Sequence, residues 1–135
     1  MNRPNTLDDV AQAWNADFDS YRSTIAGFLD TFYMNPARRQ AMIDPEPRLC
    51  NEPKMNAYLG AVAEHLARRW TLKIPKWTSD PKRFLHKPYF AGDIESLKPL
   101  LLAQSRLAFR KRMIFVEHEP LRRARMPREA LSASA

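Results

Sequence analysis

The residues with the most distinctive chemistry in this sequence lie near its C-terminal end. Eight cationic side chains occur within 23 positions: Arg106, Arg110, Lys111, Arg112, Arg122, Arg123, Arg125 and Arg128. The planar guanidinium group suits bidentate contacts with carboxylates and phosphates, so a cluster in which arginine outnumbers lysine favours recognition of an anion. We therefore predict one surface that binds a partner or phosphate groups. Five arginines form it: Arg106, Arg110, Arg112, Arg122 and Arg123. The alternative is a solvated surface whose charge is offset by nearby carboxylates.

The net charge of +7 is divided unevenly along the chain. Residues 1–67 hold six Lys or Arg against nine Asp or Glu (−3), and residues 68–135 hold 16 against six (+10). A basic second half predicts an anionic counterpart. An acidic protein, a nucleic acid and a bound nucleotide are the candidates.

Residue types that bind metals or act as nucleophiles are scattered. His65, His86 and His118 form no pair such as His-x-x-x-His, and the single cysteine, Cys50, lies in a proline-rich connection with no base beside it in sequence. Metal and nucleophilic sites need several such groups at defined spacing. We therefore predict no metal, no cofactor and no catalytic residue, and we expect Cys50 to be unreactive.

One spacing does suggest a reaction. Five residues separate Arg112 from His118, which resembles the Arg-x4–6-His signature of the HEPN ribonucleases, small helical bundles that act on the RNA phosphodiester. The resemblance implies an arginine that stabilises an anionic transition state and a histidine that moves a proton. HEPN proteins usually carry a polar residue after the arginine, where this chain has Met113. A helical HEPN-like ribonuclease is therefore an alternative and not the main hypothesis.

Length and composition indicate one folded domain. The chain has 135 residues, of which 44% are hydrophobic and 27% charged, as is typical of a globular domain. No apolar run approaches the roughly 18 residues of a membrane span. Residues 1–9 lack a signal-peptide pattern, and one cysteine cannot close an internal disulfide. We expect a cytoplasmic protein that does not enter a membrane.

Two long helices are predicted to form the core. Thr6 and Asp9 have the spacing of a capping box, and bulky residues recur every seven positions after them, so one helix of about 27 residues is predicted over residues 6–33, with a bend allowed at residues 15–17. An apolar face predicts a second helix over residues 53–70. Aromatic residues in the first helix favour an irregular bundle over a two-stranded coiled coil, and a homodimer through this helix is the less favoured reading.

Prolines divide the middle of the chain into shorter elements. Asn35 and Pro36 predict a short helix over residues 36–43, whose Arg38 and Arg39 we expect to face solvent. Residues 71–89 contain three prolines and are predicted to form a packed loop, with at most a short helix over residues 81–86 that Asp80 caps. The aromatic residues in and beside this loop are predicted to anchor it in the core more than to stack on bases: Trp77, Tyr89 and Phe90.

The basic region contains four further expectations. Asp93 can cap a helix that begins at Ile94, in which case Pro99 kinks it; alternatively the helix starts with Pro99 at its first position. If residues 106–112 are helical, Arg106 and Arg110 share a face and Leu107 packs inward. The apolar run 113–116 fits a short strand or a buried helical turn, which periodicity cannot separate. A last helix is predicted over residues 120–125. The predicted fold is therefore mostly α: a single-domain irregular helical bundle over residues 1–131, with an acidic half (1–67), a basic half (68–131), a proline-rich aromatic loop, room for one short strand, and a frayed tail at residues 132–135.

Residues 75–124 carry an extended pattern: Pro-x-Trp, Phe-Leu-x-x-Pro-Tyr-Phe, Leu-Leu-x-x-Ser-x-x-Ala-Phe-Arg-x-Arg-x-Ile-Phe-Val and Leu-x-Arg-Ala. This pattern is similar to that of short antitoxin-like bacterial proteins encoded beside nucleotidyltransferase-like proteins. The resemblance implies a small protein that binds and restrains an enzyme, and it implies no catalytic residue. The leading hypothesis is therefore a non-enzymatic binding module of the antitoxin or adaptor type, and the alternative is a nucleic-acid-binding protein.

Overall fold

Helices make up most of the regular structure of the protein. The computed structural model describes residues 4–17, 21–90, 105–116 and 120–127. In chain order the elements are α1 (Leu7–Ala16), α2 (Tyr21–Met34), a 3-10 turn (Pro36–Arg38) that continues into α3 (Arg39–Ile43), α4 (Pro53–Arg69), two more 3-10 turns (Lys76–Ser79 and Pro81–Arg83), β1 (Tyr89–Phe90), α5 (Leu107–Arg110) and β2 (Ile114–Phe115). The predicted mostly α fold class is confirmed.

The N-terminal helix begins as predicted but is shorter than predicted. The Asp9 amide donates to Thr6 Oγ1 (3.1 Å) and the Thr6 amide donates to the Asp9 carboxylate (3.2 Å), which completes the capping box. The helix ends at Ala16, because Asp17 has an extended backbone (φ −153°). The prediction of one continuous helix over residues 6–33 is therefore wrong.

Helices α1 and α2 pack against each other instead of continuing in one line. Trp14 Nε1 donates a hydrogen bond to the Tyr21 carbonyl (3.1 Å), which ties the end of α1 to the start of α2. The predicted apolar stripe is nevertheless in the core, since Leu7, Phe28 and Phe32 are fully buried. Packing the two helices together buries both parts of the stripe in one core, which a single straight helix could not do.

Helix α4 is the centre of the core, and its existence over residues 53–70 was predicted. Only one of its faces was predicted to be buried, whereas almost every residue between Met55 and Ala67 is inaccessible to solvent. The turns Lys76–Ser79 and Pro81–Arg83 and helix α5 all pack on it. Small residues in the middle of the helix, among them Gly60, allow these neighbours to approach closely.

Helix α4 ends in a Schellman motif. The Leu72 amide donates to the Ala67 carbonyl (2.8 Å), and the residue between the helix and Leu72 is Thr71, with φ 58°. Glycine is the residue that usually occupies this left-handed position, because a Cβ atom clashes there with the backbone. A β-branched residue at this position is therefore strained.

The prediction that Arg39 faces solvent is wrong. The short helical segment is present as a 3-10 turn followed by α3, and Arg38 is exposed as expected, but Arg39 is buried. Its guanidinium donates to the carbonyls of Phe32 and Tyr33 (both 3.1 Å) and lies 4.5 Å from the ring centroid of Trp70. This arginine therefore caps the C-terminal end of α2 and does not face solvent.

The proline-rich segment is a packed loop, as predicted. The Trp77 indole is buried and donates to the Ile43 carbonyl (3.2 Å), and Asp80 caps the next turn by accepting from the Lys82 amide (2.9 Å). The segment ends in β1, which pairs in parallel with β2, Tyr89 opposite Ile114 and Phe90 opposite Phe115. The short strand allowed over residues 113–116 is therefore present, and the aromatic loop supplies its partner.

Two expectations for the basic region are wrong. Leu107 is 48% exposed, and α5 buries Ala108 and Phe109 instead. The described residues from Pro120 onward form turns and no helix. The Tyr33 hydroxyl holds them by donating to the Leu121 carbonyl (2.8 Å). The predicted helix after Asp93 and the tail at 132–135 lie outside the described residues.

Candidate binding site

The five arginines predicted to form one surface occupy three different environments. Arg112 is completely buried. One of its Nη atoms donates to Glu64 Oε1 and to the Ala108 carbonyl (both 2.8 Å), and the other donates to the Thr78 carbonyl (2.7 Å). The prediction that Arg112 contacts a partner is therefore wrong, because its guanidinium donates hydrogen bonds inside the protein and no part of the side chain is exposed.

Glu64 is the acceptor at the centre of this buried cluster. Its carboxylate also accepts from Arg68 (2.8 Å) and Lys111 (2.9 Å). Burial alone would raise the pKa of Glu64, but the hydrogen bonds from Lys111, Arg112 and Arg68 lower it to about 2. We call these four residues the Glu64 cluster. It joins α4 to the turn after α5, so its role is structural.

A second arginine, Arg83, is also buried beside α4. Its guanidinium donates to the Pro47 carbonyl (2.6 Å) and lies 4.9 Å from the Trp77 ring centroid. Arg83 and Arg112 both approach Gly60, where a Cβ atom would meet Arg112 Nε and Arg83 Cβ at 3.0 Å each. The absence of a side chain at Gly60 thus lets Arg83 and Arg112 pass close to the backbone of α4.

Arg106 and Arg110 lie on α5, away from the other predicted contacts. Arg110 is exposed and Arg106 is half-buried. The positive charges of Arg106 and Arg69 act on His65, whose pKa is lowered to about 4, chiefly by burial and then by these two charges. His65 packs its ring against Phe109 (5.5 Å between centroids). This histidine is therefore a neutral core residue at neutral pH.

Arg122 and Arg123 are exposed and lie at the mouth of a cavity. The cavity has a volume of about 330 Å³, near the lower end of the range for ligand pockets. Helices α1 and α2, the start of α4, the strand region and the C-terminal turn all contribute to it. Its lining consists of Trp14, Tyr21, Arg22, Ile25, Ala26, Leu29, Lys54, Met55, Tyr58, Tyr89, Ile114, Val116, Pro120, Arg122 and Arg123.

Four of these lining residues are cations, which we call the cationic rim: Arg22, Lys54, Arg122 and Arg123. No acidic side chain is among the described residues that line the cavity. The rim draws on three segments that are far apart in sequence, and two of its members come from the acidic half of the chain. Charge is therefore concentrated here by the fold and not by the local sequence.

Contacts with neighbouring groups position the rim side chains. Arg22 Nε donates to the Tyr21 hydroxyl (2.9 Å), and Lys54 Nζ lies 5.3 Å from the Tyr89 ring centroid. Arg123 makes a bidentate pair with Asp30 (2.9 and 3.0 Å). The side chains of Arg123 and Asp30 are 39% and 16% exposed, so this pair is partly sheltered from solvent, whereas the contact of the exposed Arg22 contributes little to stability.

The interior of the cavity is apolar and aromatic. Trp14 is 4% exposed and packs against Tyr58 (6.2 Å between ring centroids). Burial raises the pKa of Tyr58 to about 12, so the phenol is protonated at neutral pH. Ile114 and Val116, both buried, complete the floor with aliphatic surface.

A second cavity of about 350 Å³ adjoins the first, since Trp14, Lys54 and Met55 line both. Its other walls are polar: Asn15, Cys50, Asn51 and Glu52. The Asn56 side chain holds this wall by bonding both the amide (2.7 Å) and the carbonyl (3.1 Å) of Cys50. Burial raises the pKa of the Cys50 thiol, which agrees with the expectation of an unreactive cysteine.

The structure thus brings together two of the predicted site residues, Arg122 and Arg123. Sequence reasoning missed Arg22 and Lys54, which stand alone in acidic or neutral surroundings and gave no clustering signal. Of the aromatic residues, Trp77 is a core anchor as predicted, and Phe90 stacks on Phe115 (5.0 Å between ring centroids). Tyr89 is 38% exposed and belongs to the cavity wall.

Other possible sites were also compared with the described ranges. No group of three or more His, Cys, Asp or Glu side chains there could hold a metal ion, and no helix within them has the length and apolar composition needed to cross a bilayer. The guanidinium of Arg112 faces Glu64, and His118 lies outside the described residues, so their pairing as an HEPN-like site stays untested. A scan against protein-family models and searches of curated proteins and solved structures found no match to this chain.

Proposed function

We propose that this protein is a non-enzymatic binding module, of the antitoxin or adaptor type, that binds an acidic surface of a partner protein through the cationic rim. The observation that carries the proposal is the convergence of Arg22, Lys54, Arg122 and Arg123 around one cavity that has no acidic lining residue among those described. Asp30 offsets the charge of Arg123, and a bound anion relieves the repulsion among Arg22, Lys54 and Arg122.

The interior of the cavity favours a protein partner over a nucleic acid. Single-stranded nucleic acids bind through exposed aromatic faces on which bases stack. Here Trp14 is buried, and Lys54 Nζ already lies over the exposed ring of Tyr89. Ile25 and Ala26, which line the cavity and are half-buried, match an apolar side chain better than a base. Apolar centres surrounded by charged rims are typical of protein interfaces.

Affinity purification with matched charge reversals tests the proposal. Arg122→Glu changes the rim, and Arg110→Glu makes the same charge change at an exposed position that does not line the cavity. We expect an acidic protein to co-purify with the wild type and with Arg110→Glu, and to be lost with Arg122→Glu. The reconstituted complex should weaken roughly tenfold in Arg122→Glu, mainly through slower association at low salt.

Two results would contradict this function. The first is a purified protein that carries no protein partner but binds oligonucleotides with an affinity that falls steeply as salt rises. That result would favour the nucleic-acid alternative. The second is equal loss of the partner in Arg110→Glu and Arg122→Glu, because a nonspecific loss of positive charge would then explain the binding.

A further inference from the structure

We infer that the cavity takes one large apolar side chain, leucine or an aromatic residue, from a partner segment whose flanking residues are acidic. This inference rests on the proposed function and specifies its ligand: a short acidic peptide segment with a single apolar anchor. It follows from how apolar surface, charge and polar wall are distributed around the two adjoining cavities.

The first step concerns the apolar floor. Ile25 and Ala26, both half-buried, and the buried Leu29 and Met55 present aliphatic surface to a cavity of about 330 Å³. This volume lies near the lower end of the range for ligand pockets, so the cavity has room for one large side chain. A leucine or phenylalanine that buries part of its apolar surface there gains hydrophobic free energy and acts as an anchor of the kind that dominates protein interfaces.

The second step concerns charge. Arg22, Lys54, Arg122 and Arg123 line the cavity that has the apolar floor, so carboxylates that flank the anchor residue can reach Arg22, Lys54 and Arg122. Arg123 is already occupied by its bidentate pair with Asp30, which illustrates the fork geometry that a guanidinium forms with a carboxylate. A partner carboxylate can take the same geometry on Arg122.

The third step concerns the orientation of the bound segment across the two cavities. The adjoining cavity shares Lys54 with the first but also contains Glu52, and its walls include the amide side chains of Asn15 and Asn51. Side-chain amides can bond the backbone of an extended peptide, whereas Glu52 disfavours a further acidic residue. The segment should therefore be acidic on the side of Arg122 and neutral on the side of Asn51.

A positional peptide array gives the test. The peptides are 12 residues long, with glutamates and serines around one variable central position, and a second set replaces every glutamate with glutamine. Affinities of the best peptides are measured by fluorescence polarisation on the intact protein. We expect leucine, phenylalanine or tryptophan at the centre to bind about 10- to 100-fold more tightly than alanine, and the glutamine set to lose most of the affinity.

Two pairs of variants locate the binding. Ala26 lines the cavity and Ala41 is exposed on α3, so Ala26→Phe should fill the cavity and reduce binding at least about tenfold, while Ala41→Phe should not. Arg122→Glu and Arg110→Glu form the matching charge pair.

Fluorine NMR of protein labelled with 5-fluorotryptophan reports on the cavity directly. The Trp14 resonance is assigned with Trp14→Phe. It should shift when a peptide binds, while the resonances of Trp70 and Trp77 should not.

The outcomes separate this inference from the proposed function. Equal binding of the alanine and leucine peptides, with Arg122→Glu still weakening both, would overturn the apolar anchor and leave acidic docking intact. Unchanged binding in Ala26→Phe would also overturn the anchor. Binding of a 12-nucleotide oligothymidine but of no peptide would overturn both proposals, as would failure of every peptide and oligonucleotide to bind.

Discussion

Replacing Glu64 by glutamine isolates the energetic role of the Glu64 cluster. The substitution keeps the shape of the side chain but removes the only negative charge in the cluster, and it leaves Arg112, which is completely buried, without a counter-ion. Removing one partner of a buried ion pair typically costs about 3–5 kcal/mol, because the remaining charge stays desolvated.

The pKa of Glu64 leads to a similar free energy of destabilisation for Glu64→Gln. It lies at about 2, against an ordinary value of 4.5, and each pKa unit corresponds to about 1.4 kcal/mol. The ionised carboxylate therefore stabilises the folded protein by about 3 kcal/mol. For a chain of this length we expect Glu64→Gln to lower Tm by about 10 °C at pH 7.

Urea unfolding followed by circular dichroism measures the effect, with Asp8→Asn as the matched control. Asp8 makes a bidentate pair with Arg48 (both distances 3.0 Å), but the two side chains are 29% and 50% exposed. Loss of such an exposed pair should cost about 1 kcal/mol or less. Equal destabilisation by the two substitutions would refute the argument that burial determines how much an ion pair contributes to the free energy of unfolding of this protein.

The pH dependence supplies an independent check. Because the folded-state pKa of Glu64 is below its unfolded value, its stabilising contribution is present above pH 4.5 and is lost as the pH falls toward 2. The free energy of unfolding of Glu64→Gln should therefore change less than that of the wild type over this interval. Parallel curves would show that the carboxylate is not held in its ionised form by the cluster.

Three further substitutions test single features of the fold. Gly60→Ala should destabilise by about 1–3 kcal/mol in urea, since the new Cβ meets Arg112 and Arg83 atoms at 3.0 Å; a gain of stability, usual for Gly→Ala in a helix, would contradict this packing. Thr71→Gly should raise stability by about 1 kcal/mol in thermal melts, because it relieves the left-handed backbone at the end of α4, and Thr71→Ala, which keeps a Cβ atom, should not. His65 has a pKa of about 4 in the folded protein and 6.5 ordinarily, so protonation of the unfolded chain lowers stability as the pH falls from 6.5 toward 4. This loss is about 3 kcal/mol in full, of which about 2 kcal/mol falls between pH 7 and pH 5. His65→Leu should abolish it when unfolding is compared at these two pH values, and an unchanged difference would assign it to other groups.

Some parts of the fold were predictable because their signals are local. The capping box at Thr6 and Asp9, the cap at Asp80 and the proline start of α4 act within one helical turn, so they form in almost any tertiary context. The seven-residue repeat likewise identified which side of α1 and α2 is buried. A bend was allowed at residues 15–17, close to the break after Ala16, but the repeat continues in sequence across this point and therefore did not show that the helix ends there.

The candidate site was only half predictable. Clustering identified Arg122 and Arg123 but also counted Arg112, and no sequence pattern distinguishes an exposed arginine from one that meets a buried carboxylate. Glu64 and Arg112 are 48 positions apart. One signal was available: the run from Met55 to Ala63 has no charge and contains only small or apolar residues besides Asn56 and Tyr58, which is typical of a helix buried on all sides.

The sequence by itself determined the helical class of this protein, the starts of α1 and α4 and the division of its charge, because caps, periodicity and composition act over short distances or over the whole chain. Only the tertiary structure decided which cations are buried with Glu64 and which surround the cavity. Arg22 and Lys54 belong to the acidic half and join Arg122 and Arg123 only after folding. The physical reason is that the environment of a charge depends on the residues that pack around it, and these come from distant parts of the chain.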